Sequence, residues 1–85
     1  MYHVELRARA ERDIATLPRP IARRVHAVIA GLRENPRPPG IRKLQVEGGY
    51  RVRVGDYRIV FEINDQARRV LIVRVRHRRD VYRGL

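Results

Sequence analysis

The chain has 85 residues, enough for one domain with one small core, and its 44% hydrophobic content is too high for a disordered tail. It contains no cysteine, which excludes disulfides, zinc–thiolate sites and thiol nucleophiles, and no apolar run reaches the length of a membrane span. Twenty basic residues, all arginine except Lys43, oppose nine acidic ones; the formal net charge of +11 implies an anionic partner, either nucleic acid, an acidic protein or both.

The excess is uneven: residues 1–35 carry seven basic and four acidic groups, residues 36–85 thirteen and five. The start, Met1 to Leu6, has no charged segment leading into an apolar stretch, so no signal peptide is read and a cytoplasmic location is expected. Residues 1–85 read as a single domain, without repeats or linkers.

Residues 2–6 alternate, with Tyr2, Val4 and Leu6 against His3 and Glu5, and predict a strand. Residues 8–17 predict a short helix with Ala10, Ile14 and Leu17 on one face, stopped by Pro18 and Pro20. Pro20 also suits the first turn of a second helix, where its missing N–H costs nothing. That helix carries an apolar stripe of Ile21, Val25, Val28, Ile29 and Leu32 and ends at Asn35-Pro36. Residues 36–40, rich in proline, form a loop, and residues 41–46 predict a short strand before the break at Gly48-Gly49.

From Tyr50 the period becomes two, and residues 50–54, 57–64 and 69–76 predict three strands. Gly55-Asp56 is a two-residue hairpin connection, and residues 64–67 make the next turn. Val70 to Val73 is apolar on both faces, which predicts a strand with neighbours on both sides. The class expected is α+β, with two helices on one face of a small, mostly antiparallel sheet.

The hairpin fixes a register. Val54 faces Tyr57, Val52 faces Ile59 and Tyr50 faces Phe61, an apolar floor for the helices. On the other face Arg53 opposes Arg58, and Arg51 opposes Val60. Like charges directly across a ladder are destabilising unless an anion sits between them. Continued alternation puts Leu71, Val73, Val75 and His77 toward the helices and Arg74, Arg76 and Arg78 on the arginine face. Each arginine singly fits an ordinary solvated face; the cluster of Arg51, Arg53, Arg58, Arg76 and Arg78 reads as a phosphate site. Tyr82 follows among arginines, where a ring can pack at the C-terminus or stack on an unpaired base. His77 suits a structural role or proton transfer. His3 and His26 receive no role, and no metal or other cofactor is expected, because three scattered histidines without cysteine make no metal site.

Lys43-Leu44, Tyr50-Arg51-Val52-Arg53-Val54, Gly55-Asp56-Tyr57-Arg58-Ile59-Val60 and Val75-Arg76-His77-Arg78-Arg79-Asp80-Val81-Tyr82-Arg83 together resemble the RelE/ParE family of toxin–antitoxin toxins over nearly the whole chain. The RelE pattern has basic residues on the strand before the hairpin, an arginine just after it, another after the last strand and a C-terminal tyrosine. Arg51 and Arg53, Arg58, Arg78 and Tyr82 match, which favours that branch. The resemblance implies a sheet of four or five strands in the order 1-5-4-3-2. It also implies a ribosome-dependent messenger-RNA endonuclease, in which the 2′-hydroxyl attacks its own 3′-phosphate to leave a 2′,3′-cyclic phosphate and a 5′-hydroxyl.

By that resemblance Arg58 and Arg78 stabilise charge and Tyr82 orients a base. Arg51, Arg53, Arg76 and Lys43 bind phosphate, and His77, Asp80 and Tyr82 are candidates for proton transfer. Where the best-known RelE members have lysines, this chain has Arg51 and Arg53, and arginine is not an ordinary base. The partners implied are the ribosome with its messenger RNA and a cognate acidic antitoxin, through which the complex binds operator DNA. No membrane is involved. Two other readings stay open: a DNA gyrase inhibitor of the ParE kind without ribonuclease activity, and a non-catalytic nucleic-acid-binding relic.

Overall fold

Pro18 and Pro20 set the junction between the two helices. In the computed structural model, which describes residues 1–44 and 49–79, strand β1 (His3–Leu6) leads through Arg7 into helix α1 (Ala8–Ala15). Thr16 closes that helix, its hydroxyl donating to the Asp13 carbonyl at 2.8 Å. Helix α2 (Arg19–Gly31) starts at Pro18, whose carbonyl accepts the Ala22 N–H at 2.9 Å, with Pro20 in the first turn as its fixed φ allows. It ends earlier than Asn35: the Gly31 carbonyl takes N–H groups from both Glu34 and Asn35, and Asn35 Oδ1 accepts the Arg37 N–H, which turns the chain before Pro36.

Four further strands follow: β2 (Arg42–Lys43), β3 (Tyr50–Val54), β4 (Tyr57–Asn64) and β5 (Arg69–His77). They form one sheet with β1 in the order β1-β5-β4-β3-β2. β1 runs parallel to β5, and the other pairs are antiparallel. β3 and β4 have the boundaries read from sequence, β5 runs one residue further, and β2 is shorter than residues 41–46, of which 45 and 46 lie outside the described residues. The apolar stripes meet between helices and sheet. Ala10, Ile14, Val25, Ile29 and Leu32 pack on Val52, Val54, Ile59, Phe61, Val70, Ile72 and Val75.

The hairpin register agrees with the sequence reading at all five pairs, Val54↔Tyr57 through Tyr50↔Phe61. The reading of β5 fails in the part before Val73. Between Val60 and Phe61 the register slips, with Val60 opposite Arg74 but Phe61 opposite Ile72, so Val73 is an extra residue in a bulge. A one-residue insertion reverses which face each side chain takes. Val70 and Ile72 are therefore in the core, and Leu71 is on the opposite face, half-buried between Glu62 and Glu5. Beyond the bulge the expected alternation returns, with Val75 in the core and Arg76 on the arginine face.

Arg74 is also corrected. Its guanidinium leaves the open face and grips Asp13 of α1, with Nε donating to Oδ2 at 2.8 Å and Nη2 to Oδ1 at 3.2 Å. β1 stops pairing at Ile72, so the edge of β5 beyond that point needs another partner. The same Asp13 oxygen supplies one by accepting the Val75 N–H at 2.9 Å. Burial pushes the Asp13 carboxyl up, but the hydrogen bonds from Arg74 and Val75 outweigh it and hold the group below the usual carboxylate range.

Candidate nucleic-acid interface

The site begins at the hairpin turn. Gly55 has φ +59, a left-handed conformation that costs a side-chain-bearing residue, and it occupies the first central position where a type II′ hairpin needs it. The next carbonyl, that of Asp56, accepts the Arg78 N–H at 2.8 Å. This bond folds the segment after β5 back over the hairpin and brings Arg78 and Arg79 beside Arg53 and Arg58. The four arginines line a depression of about 480 Å³ with no carboxylate among its described lining residues.

Neighbouring strands extend the positive surface. Arg76 lies directly across from Arg58, which lies across from Arg53, so three arginines form one row over β3, β4 and β5. The Arg76 Nε is buried without a hydrogen-bond partner, a donor whose desolvation an incoming anion would offset. Arg51 sits one row further from the turn. Arg51, Arg53, Arg58, Arg76 and Arg78 thus share one end of the sheet surface that faces away from the helices.

Two residues read from sequence as candidates are elsewhere. His77 pairs with Tyr57 on the helix side, its ring edge-on to the tyrosine at 5.1 Å between centroids. Its Nδ1 accepts the Arg79 N–H at 3.2 Å, so in this conformation it positions Arg79 rather than facing the depression. Lys43 is exposed and registers with Tyr50, on the side of the core residue Phe61. Tyr82 and Asp80 lie outside the described residues. Sequence reasoning missed Arg79 as a lining residue, because only the turn after β5 reveals its direction. It missed Arg42 because the pairing of β2 depends on a loop whose length fixes no register.

Chemically, planar guanidinium groups bind phosphate oxygens in pairs and stabilise charge that develops on a pentavalent phosphorus. They do not take up a proton, so the depression offers charge without an ordinary base among its described lining residues. Among the described residues no group of three His, Cys, Asp or Glu side chains gathers in a way that could hold a metal ion, and no helix is long and apolar enough to cross a membrane.

Comparison with known proteins gives consistent relatives. A family model described as the ParE toxin of a type II toxin–antitoxin system, parDE, matches residues 4–82. Toxin RelE of Mycobacterium tuberculosis is 40% identical over 96% of this chain and 87% of its own length. Among solved structures, the toxin–antitoxin complex RelBE2 from Mycobacterium tuberculosis contains a chain that matches with a TM-score of 0.79 at 33% identity, covering 89% of this chain and 96% of that one. The archaeal RelE–RelB complex from Pyrococcus horikoshii contains another, with a TM-score of 0.81 at 26% identity over 91% and 94%.

Proposed function

The chain belongs to the ParE toxin family of type II toxin–antitoxin systems, with toxins RelE and RelG of Mycobacterium tuberculosis among its relatives, and from that premise we propose that it is a messenger-RNA endonuclease acting on the translating ribosome. The observation that carries this reading is the depression lined by Arg53, Arg58, Arg78 and Arg79. Arg53 and Arg58 lie directly across a strand pair, and a phosphate seated between them would offset their mutual repulsion.

In the proposed reaction the 2′-oxygen forms a bond to the adjacent phosphorus, and the bond from phosphorus to the 5′-oxygen breaks. The 2′-hydroxyl proton leaves to a base, and the departing 5′-oxygen takes one up. Arg58 and Arg78 stabilise the dianionic phosphorane, and Arg51, Arg53, Arg76 and Arg79 hold phosphate oxygens. Tyr82 is assigned to stack on a splayed base. The base must come from outside the arginine cluster: Tyr82, Asp80, His77 after a change of rotamer, or ribosome-ordered water.

As a type II toxin the protein has a cognate antitoxin, the kind of partner with which its structural relatives were solved. An acidic antitoxin lying over the arginine face would neutralise charge and exclude RNA together. The resemblance to ParE toxins keeps a second reading open, inhibition of DNA gyrase. Chemical analysis of messenger-RNA ends separates the two. The endonuclease reading expects new fragments with 5′-hydroxyl and 2′,3′-cyclic phosphate ends in a cell-free translation reaction. Intact messages together with inhibited supercoiling would select the gyrase reading.

A further inference from the structure

The open face carries more than the depression. On the row nearest the hairpin turn, Arg53, Arg58 and Arg76 lie side by side. On the next row Arg42 of β2 lies directly across from Arg51 of β3. Three cross-strand pairs, Arg42–Arg51, Arg53–Arg58 and Arg58–Arg76, therefore set like charge against like charge, an arrangement that a bound anion would favour.

The face changes sign one row further on. There Glu62 of β4 and Glu5 of β1 flank Leu71, beside a second depression of about 570 Å³ whose lining also includes Asp65 and Arg69. A polyanion following the strands away from the turn would meet those carboxylates. One that turns along the second row passes Arg51 and Arg42 and leaves over the edge strand. Adjacent rows are two residues apart along a strand, about 6.7 Å, which is close to the separation of successive phosphates in an extended single-stranded RNA.

We propose that the arginine face holds two successive phosphates of the RNA: the reacting one in the depression by Arg53 and Arg58, and its neighbour between Arg51 and Arg42, with the RNA leaving over β2. This rests on the endonuclease reading above. Arg42 then binds substrate without touching the reacting atoms, so its loss weakens substrate capture and spares the chemical step.

The test uses ribosomes programmed with messages that carry one neutral methylphosphonate linkage on either side of the scissile one. With the intact protein, neutralising one of the two neighbours is expected to raise the half-saturating toxin concentration about tenfold, the effect of a lost charge-assisted hydrogen bond. Arg42→Ala should raise it by a similar factor on the all-phosphate message and add nothing once that linkage is neutral, with the cleavage rate at saturation unchanged. Arg42→Lys should keep most of the affinity. An Arg42→Ala effect of equal size on both messages, or no effect, overturns the second phosphate site and leaves the endonuclease reading standing. A wild-type protein that cleaves no programmed message overturns both.

Discussion

Asp13 shows how much one side chain organises in this fold. It joins α1 to β5, neutralises Arg74 and satisfies the Val75 N–H at an edge that β1 leaves unpaired. Its side chain is only 18% exposed and that of Arg74 25%, so removing the carboxylate strands a partly buried cation and a backbone donor. Asp13→Ala should cost about 2–4 kcal/mol, read from urea unfolding. A cost below about 0.5 kcal/mol, the level of an unremarkable surface change, would contradict this account of Asp13.

Asp65 is a second clamp, in a more open setting. It accepts both ends of the Arg37 guanidinium and the Tyr2 hydroxyl, and those bonds lower its carboxyl to about 2. Both aspartates are thus depressed in the folded state, so their contribution is fully present above the unfolded value near 3.9 and is lost as pH falls through the folded values. Unfolding midpoints should be flat from pH 7 to about 5 and decline from about 4 toward 2. Asp13→Asn together with Asp65→Asn should flatten that decline, and an undiminished decline in the double variant would assign it elsewhere. None of this was legible in the sequence, because partners 28 to 63 residues away leave no local signal.

The elements differ in how far the sequence declares them. The β3–β4 hairpin was fully readable, because a two-residue turn at Gly55-Asp56 leaves one register and alternation then assigns both faces. Helix α2 was readable from its stripe, although its end was set by the turn at residues 31–35 rather than by Pro36. The arginine rows on β3 and β4 followed directly from the hairpin. β5 was legible as a strand and not as a face, since a bulge at Val73 has no signature among apolar residues that suit either side. The structure's register makes opposite demands on two neighbours. Ile72→Ala should cost about 2–5 kcal/mol as a core truncation, and Leu71→Ala well under about 2. Strict alternation would reverse that order, so equilibrium unfolding of the two variants tests the bulge.

At the scale of the molecule, charge is distributed rather than merely in excess. The helix side and the sheet interior hold the fold together, while the open sheet face is basic near the hairpin and acidic toward Glu5 and Glu62. A chain with a net charge of +11 on 85 residues repels itself, and an antitoxin or RNA bound to the folded form alone raises its apparent stability by mass action. Composition made an anionic partner legible, but the division of the face into two signs required the register. Cleavage of messenger RNA on the ribosome is the activity proposed for the arginine depression. It is tested most directly by mapping messenger-RNA 5′ ends in a reconstituted translation reaction with the wild-type protein and with the Arg58→Ala, Arg78→Ala double variant, alongside naked RNA. New ends are expected within codons, only on translated messages, and at least about a hundredfold fewer in the double variant, because two charge-stabilising donors are lost. Intact messages with the wild-type protein, or cleavage undiminished in the double variant, would contradict it.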